Sequence, residues 1–123
     1  MNIDKKYYQE INENLTNTIQ DTNISAPNKK VGKVRDAYFL NDKVVMISTD
    51  RQSAFDRVLA AIPYKGAVLN SVSAWWFKKT EHLFPNHLIS TPDPNVSIVE
   101  KCTVFPVEFV VRGYITGTTD TSL

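Results

Sequence analysis

An arginine and a glycine turn follow an apolar run near the carboxyl end of the sequence, in the stretch VRGYITGT at residues 111–118. Arg112 offers a planar fork of donors, and Gly113, Gly117 and Thr118 add backbone amides and a hydroxyl beside it. These residue types at this spacing resemble a receptor for an anion. The alternative is a strand that ends in a glycine turn, with Arg112 extending along its surface.

A cluster of basic residues lies in the stretch KKVGKVRDAY, at residues 29–38. Four cations surround Gly32, and in an extended chain Lys33 and Arg35 lie on the same face. The glycine lets a ligand approach the backbone while the cations neutralise its charge, so the stretch could hold a polyphosphate. A solvated edge strand also favours lysines, and both interpretations stay open.

The stretch TDRQSAFDR mixes carboxylates, cations and a hydroxyl without a regular period, which favours a loop. Asp50, Arg51, Ser53 and Asp56 converge there. The carboxylates could orient cationic groups or bind Mg2+, and the serine could donate to a phosphate or a carboxylate. Phe55 is expected to anchor the loop to the core. A surface loop with internal ion pairs explains the pattern equally well.

Periodicity predicts the elements that precede and surround the basic stretch. Apolar residues recur every four positions from Ile3 to about Ile19, which indicates an amphipathic helix, and turn-forming residues then end it. An extended segment follows at residues 30–40. The connection Asn41–Asp42 leads into a continuously apolar strand at 44–47, so we expect a hairpin whose second strand is central.

The second half of the chain is predicted to contain one helix followed by short extended segments. Helical spacing from residue 68 to about 80 predicts a second helix, with Trp75 and Trp76 in its buried stripe. Short strands are expected at 97–101 and 107–112, where alternation would turn Val107, Phe109 and Val111 to the core and Glu108 and Arg112 to the other face. Two helices and five short strands predict an α+β domain with a mainly antiparallel sheet.

Composition bounds the class of protein. The 123 residues are 42% hydrophobic and carry a formal net charge of +1, so the chain should fold, and no global field favours nucleic acid or an anionic membrane. A single cysteine, Cys102, excludes an internal disulfide. Without a secretory peptide or a membrane span in the sequence, we expect a soluble, cytoplasmic protein that binds neither nucleic acid nor membrane.

Four motifs in this order, GKVRDAY, TDRQSAFD, IPYKGAVLNSVSAWWF and FPVEFVVRGYITGT, resemble the amino-terminal part of the SAICAR synthase family. The resemblance implies an ATP-dependent ligase of purine biosynthesis that requires Mg2+. Its reaction joins L-aspartate to 5-amino-1-(5-phosphoribosyl)imidazole-4-carboxylate through an acyl phosphate. ATP, the imidazole ribotide and L-aspartate are the partners it implies, and the oligomeric state stays undetermined.

The resemblance also implies a role for each candidate site residue. The glycine strand of the family covers the ATP phosphates, and the strand before the arginine turn borders adenine and ribose; these roles transfer to Gly32, Lys33, Arg35, Lys101, Val104 and Glu108. The arginine turn receives the ribotide phosphate, and the acidic serine loop lies near the imidazole carboxylate; these roles transfer to Arg112, Thr118, Asp50, Arg51, Ser53 and Asp56.

The length departs from the family pattern, because family members are typically at least twice as long. We therefore expect an amino-terminal fragment, with a helix and linker at 1–28 and a truncated ATP-binding lobe at 29–123. Metal ligands and a lid are expected in the missing part, and the fragment alone should be inactive, with an exposed surface that weakens folding or promotes association. Two alternatives remain: a nucleotide-binding or interaction module without catalysis, and a generic kinase-like lobe.

Overall fold

The structure is a computed structural model that describes residues 5–55, 57–107 and 109–114. Within these ranges the chain forms two helices and seven strands. In chain order they are α1 (Lys5–Glu13), β1 (Lys29–Val31), β2 (Arg35–Phe39), β3 (Lys43–Ser48), β4 (Arg51–Ala54), β5 (Arg57–Ala61), α2 (Lys65–Thr80), β6 (Leu88–Asp93) and β7 (Val96–Glu100).

A five-stranded antiparallel sheet in the order β1-β2-β3-β7-β6 forms the centre of the fold, and β4 and β5 form a separate two-stranded hairpin. The apolar, β-branched sequence of β3 suits a strand with neighbours on both sides, and β3 does lie in the middle of the sheet. The predictions of an α+β fold with a mainly antiparallel sheet and of a central strand at 44–47 are thus confirmed.

The two faces of this sheet are covered by different elements. Helix α2 lies on the face that carries Met46, Ser48, Ser97 and Val99, and together they line a cavity of about 60 Å³. Residues of β2 that point to the opposite face, such as Asp36, meet the chain segment at 19–24 instead. The segment predicted as a linker therefore covers part of the sheet.

Helix α2 begins at a tight junction with β3. Tyr64, just before the helix, has a positive φ of 63°, and the first-turn amide of Gly66 donates to the carboxylate of Asp50 at 2.8 Å. A Cβ added to Gly66 would lie 2.2 Å from the carbonyl oxygen of Ser48, so only glycine fits there. At the other end, Lys78 and Lys79 complement the helix dipole in the last turn.

Three predicted strand or loop segments differ from the observed ones. The segment at 30–40 is two strands separated by a turn, because the chain reverses at Gly32. The predicted loop at 50–57 is the β4–β5 hairpin, whose register shifts between Gln52 and Ser53 and so hides the two-residue period. The described residues between 107 and 112 belong to no strand.

Several apolar side chains expected in the core are exposed. Trp75 and Trp76 are 53% and 57% exposed, and Phe55 is 93% exposed. Val107, Phe109 and Val111 are exposed as well. Spacing identifies an apolar stripe but not the element that would cover it, and in the described ranges each of these side chains is more than half exposed. The predictions of their burial are therefore wrong for this chain.

Helix α1 is shorter than its stripe predicted, since it ends at Glu13. Its start cannot be compared with the prediction, because residues 1–4 lie outside the described ranges. Neither of the two helices in those ranges is long and apolar enough to cross a membrane.

Candidate functional site

The turn between β1 and β2 is docked on the residues that follow β3. The carbonyl oxygen of Val34 accepts from the amide and the hydroxyl of Thr49, at 3.0 and 2.9 Å. The carbonyl of Lys33 accepts from Nε of Arg51 at 3.2 Å, and that of Gly32 accepts from Nη2 at 3.0 Å. Three consecutive carbonyls of the turn thus point to two side chains and one amide inside the fold.

Gly32 is required by the shape of this turn. Its amide donates to the carbonyl oxygen of Arg35 at 2.7 Å, which closes the reversal. A Cβ at position 32 would lie 2.8 Å from the same oxygen, closer than side chains tolerate. Gly32, which we expected to let a polyphosphate approach, is therefore also needed because the backbone of Arg35 passes so close to it.

A buried ion pair lies directly behind the turn. Nη2 of Arg51 donates to Oδ1 of Asp36 at 2.7 Å, and the two residues are 8% and 0% exposed. The other oxygen of Asp36 accepts from the hydroxyl of Thr22 at 2.7 Å and pairs with Lys29 at 3.1 Å. Since each oxygen has a partner, the buried charge is compensated, as such a pair requires.

The protonation equilibrium of Asp36 reflects two opposing effects. Burial raises the pKa of this carboxyl, but the hydrogen bonds from Arg51, Thr22 and Lys29 outweigh it, so that the pKa lies below its ordinary value. The group is therefore a carboxylate at neutral pH.

A more exposed ion pair extends this cluster to the segment before β1. Lys29 donates to Asp21 at 2.7 Å and also to the carbonyl of Thr22. The bond to Asp21 raises the pKa of Lys29 above its usual range, and the same bond holds the pKa of Asp21 below its usual range. The segment at 21–22 is thus tied to both β1 and β2.

Asp50 joins three parts of the chain. Its Oδ2 accepts from the amide of Ile19 and its Oδ1 from that of Gly66, both at 2.8 Å. Next to it, Nζ of Lys65 donates to the carbonyl of Arg51 at 3.0 Å. The carboxylate fixes the start of α2 against the amino-terminal segment.

The candidate residues for ATP fall into separate places. Gly32 and Lys33 lie in the docked turn, whereas Arg35 begins β2 and lines the cavity on the α2 face. Because the chain turns at 32–34, the expectation that Lys33 and Arg35 share a face of an extended strand is wrong. Lys101 and Val104 follow β7 and are exposed.

The candidate residues for the ribotide and its carboxylate are also divided. Asp50 and Arg51 are buried and bonded within the chain, and Ser53 is half-buried on β4 opposite Val58. Arg112 is exposed. Asp56, Glu108 and Thr118 lie outside the described residues. The direct substrate contacts expected of this set stay predictions.

Reasoning from the sequence missed the residues that complete the cluster behind the turn. Asp36 and Thr49 lie inside two of the motifs but were not singled out, and Thr22 lies in the supposed linker. Alternation in RDAYF places Asp36 and Tyr38 on one face, and a carboxylate on a buried face signals a cationic partner. The partner itself, Arg51, emerges only from the fold.

The carboxylates of the described residues are not arranged as a metal site. Among these residues, no three histidine, cysteine, aspartate or glutamate side chains are grouped so that they could hold a metal ion. The carboxylates of Asp36 and Asp50 are engaged by protein donors on both oxygens. These two residues therefore do not fit the direct coordination of Mg2+.

Known proteins resemble this chain over most of its length. It matches the SAICAR synthetase family over residues 28–123. It is 61% identical over 105 residues to phosphoribosylaminoimidazole-succinocarboxamide synthase of Legionella pneumophila (strain Lens), covering 85% of this chain and 34% of that protein. It is 57% identical over 118 residues to the chloroplastic synthase of Arabidopsis thaliana, covering 92% of this chain and 29% of the relative.

Solved structures agree with the sequence comparison. The SAICAR synthase from Saccharomyces cerevisiae complexed with SAICAR is 31% identical, with a TM-score of 0.73 over 80% of this chain and 42% of that one. A type-2 SAICAR synthetase in complex with ADP is 30% identical, with a TM-score of 0.58 over 64% of this chain and 35% of that one. The chain thus spans about a third of the length of the curated relatives that it matches. On this match of sequence and fold, the chain belongs to the SAICAR synthetase family.

Proposed function

We propose that this chain is the nucleotide-binding part of a ligase that uses ATP to join L-aspartate to 5-amino-1-(5-phosphoribosyl)imidazole-4-carboxylate. The observation that carries the proposal is the family match over residues 28–123, with relatives named as the synthase at 57–61% identity. The neighbours in complex with SAICAR and with ADP support the product and the nucleotide.

The reaction proceeds in two transfers in which the protein mainly positions and neutralises charge. The imidazole carboxylate attacks the terminal phosphorus of ATP, ADP leaves, and an acyl phosphate forms. The amine of L-aspartate then attacks the acyl carbon and the amide forms, while phosphate leaves with the electron pair of the broken bond and with the proton that the amine loses. Each step brings anions together, so the site needs cations and backbone amides at fixed places.

The turn at 32–34 is proposed to bind the ATP phosphates. Gly32 gives the backbone its tight reversal, and Lys33 adds a cation to the same turn. A glycine turn beside a cation is suited to a polyphosphate because amides and ammonium groups both face negative oxygens. Lys101 and Val104, which follow β7, are proposed as neighbours of the adenine.

Arg112 is proposed to bind the phosphate of the ribotide. Its guanidinium can form two parallel bonds to phosphate oxygens, which a lysine cannot. Ser53 and Asp56 are proposed to act near the imidazole carboxylate. For Asp50 and Arg51 an indirect role fits better, because their side chains already hold the amino-terminal segment, α2 and the turn.

Mg2+ and a cytoplasmic location complete the proposal. The metal would reduce repulsion between ATP and the attacking carboxylate, with ligands other than Asp36 and Asp50. The cytoplasm fits the bacterial relatives, whereas the Arabidopsis relative is named as chloroplastic.

The test is formation of the succinocarboxamide by the full-length gene product, supplied with ATP, Mg2+, L-aspartate and the imidazole ribotide. We expect activity in the parent protein. We expect Arg112→Ala to lose at least about 30-fold in kcat/KM for the ribotide, since leaving a charged partner unpaired costs about 2–5 kcal/mol and each 1.4 kcal/mol is a factor of ten.

Lys43→Ala provides the control, because Lys43 is an exposed cation at the start of β3. It should leave kcat/KM unchanged. A parent protein that binds ATP without forming product would instead indicate a nucleotide-binding module. An Arg112→Ala variant as active as the parent would overturn the role of the arginine turn.

A further inference from the structure

Arg51 uses its guanidinium to hold backbone, not to face solvent. Nε donates to the carbonyl of Lys33, Nη2 to that of Gly32 and to Asp36, and Nη1 to that of Gln20 at 2.6 Å. Four of the five donors of an arginine are thus directed to atoms of the chain. The side chain is only 8–10% exposed, which leaves little surface for a ligand.

The direction of the three turn carbonyls fixes the direction of the amides between them. A trans peptide is planar, and its C=O and N–H point to opposite sides; none of the described peptide bonds is cis. Because the carbonyls of Gly32 and Lys33 point to Arg51, the amides of Lys33 and Val34 point away from it. Successive amides with a common direction form a concave site for anions.

We propose that Arg51, together with Thr49, is a positioning residue that turns the carbonyls of residues 32–34 inward and so presents the amides of this turn to the nucleotide phosphates. The inference rests on the proposed function, since it assigns ATP to the turn. It also replaces the role first expected of Arg51, a direct contact with the imidazole carboxylate.

The charges around Arg51 support positioning over direct binding. Its guanidinium is paired with Asp36 at 2.7 Å, and the second oxygen of Asp36 is bonded to Thr22 and Lys29. The positive charge of Arg51 is therefore neutralised within the cluster. What remains for a ligand is the backbone geometry that Arg51 imposes. The fork shape matters for this, because an ammonium group cannot span the carbonyls of residues 32 and 33 and the carboxylate at once.

The experiment measures KM and kcat for ATP and for the imidazole ribotide in the full-length gene product and in three variants. Arg51→Lys should raise KM for ATP by about 10-fold to 100-fold, the loss seen when a residue that orients the ligands of a metal ion is replaced, while KM for the ribotide stays near that of the parent. Thr49→Val removes one of the two bonds to Val34 and should raise KM for ATP about threefold.

Ser97→Ala is the matched control, because its buried hydroxyl donates to Asn70 at 2.7 Å on the opposite face of the sheet. It should lower the unfolding midpoint and leave KM for ATP unchanged. If Arg51→Lys raises KM for the ribotide and not for ATP, Arg51 contacts the substrate directly and the inference is overturned.

The remaining outcomes separate this inference from the proposed function. An active parent whose Arg51→Lys variant keeps its KM for ATP overturns the inference alone. A parent that neither binds ATP nor forms product overturns the proposed function, and the inference falls with it. Should Arg51→Lys fail to fold, Thr49→Val decides, and an unchanged KM for ATP in that variant overturns the inference.

Discussion

The polar cluster beside the central sheet and the outer surface of α2 consist of opposite kinds of residue. On the side toward the amino-terminal segment, Asp36 and Arg51 are 0% and 8% exposed, as deeply buried as the apolar core residues. On the outer surface of α2, Trp75 and Trp76 are more than half exposed. The charges of the polar cluster are paired within the described residues, whereas the two tryptophans of α2 stay largely open to solvent there.

The difference shows which contacts give this region its shape. Directional bonds among residues 20–22, 29, 36 and 51 set the turn that we assign to the nucleotide. Non-directional apolar area on α2 sets no such geometry, but it promotes association when it stays in water. The site is therefore expected to depend on the polar cluster, and solubility on the helix surface.

Removal of the buried carboxylate should produce the largest change in stability. In Asp36→Asn the charge of Arg51 loses its partner, and breaking a buried ion pair costs about 3–5 kcal/mol, of which we expect the lower end because the amide oxygen still accepts a bond. Urea unfolding of the 123-residue chain, followed by circular dichroism, measures this loss.

Asp42→Asn is the control for that comparison, since Asp42 is an exposed carboxylate in the turn between β2 and β3. Its substitution should change the free energy of unfolding by less than about 0.5 kcal/mol. Equal effects of the two substitutions would show that the polar cluster does not stabilise the fold.

Acid should reduce the stability that the polar cluster provides. The pKa of Asp36 is lower in the folded chain than in the unfolded one, so its contribution to stability is present above the unfolded pKa and is lost as pH falls through the folded pKa. Unfolding measured between pH 6 and pH 2, a range around the ordinary aspartate pKa of about 3.9, should show this loss. Asp36→Asn should flatten the profile, and a variant with the parent profile would exclude Asp36 as the titrating group.

A substitution on the exposed surface of α2 should change association and not stability. Trp76→Gln removes a side chain that is 57% exposed, so the free energy of unfolding should change by less than about 0.5 kcal/mol. Self-association and binding of a hydrophobic dye should both decrease. Val99→Ala, on the buried face of the sheet, should instead destabilise the chain. A large loss of stability in Trp76→Gln would mean that the helix surface is covered in solution.

The elements with a strong local signal were predicted well from the sequence. The Asn41–Asp42 connection does separate β2 from β3, and α2 does end at Thr80, because turn residues and helical spacing act within a few positions. The β4–β5 hairpin was missed because a register shift at Gln52 and Ser53 disturbs the alternation that identifies a strand.

The site was predicted in its parts and not in its arrangement. The motifs identified Gly32 and Arg51, but 19 residues separate them, and only the reversal at Gly32 brings the turn onto the guanidinium. Spacing likewise identified the stripe with Trp75 and Trp76. Whether such a stripe is buried depends on what packs against it, and helical spacing does not predict that. Long-range pairing and packing were therefore beyond the local pattern.

Amide hydrogen exchange tests the central claim most directly, namely that the turn at 32–34, held from inside by Arg51, faces the nucleotide phosphates. The full-length gene product is compared with and without ADP. ADP lacks the terminal phosphate that the reaction transfers, so no turnover occurs during the measurement. We predict slower exchange at Lys33 and Val34 when ADP is bound, and a weaker effect in Arg51→Lys at the same ADP concentration. Slower exchange elsewhere in the protein, with no change at residues 32–34, would contradict the account.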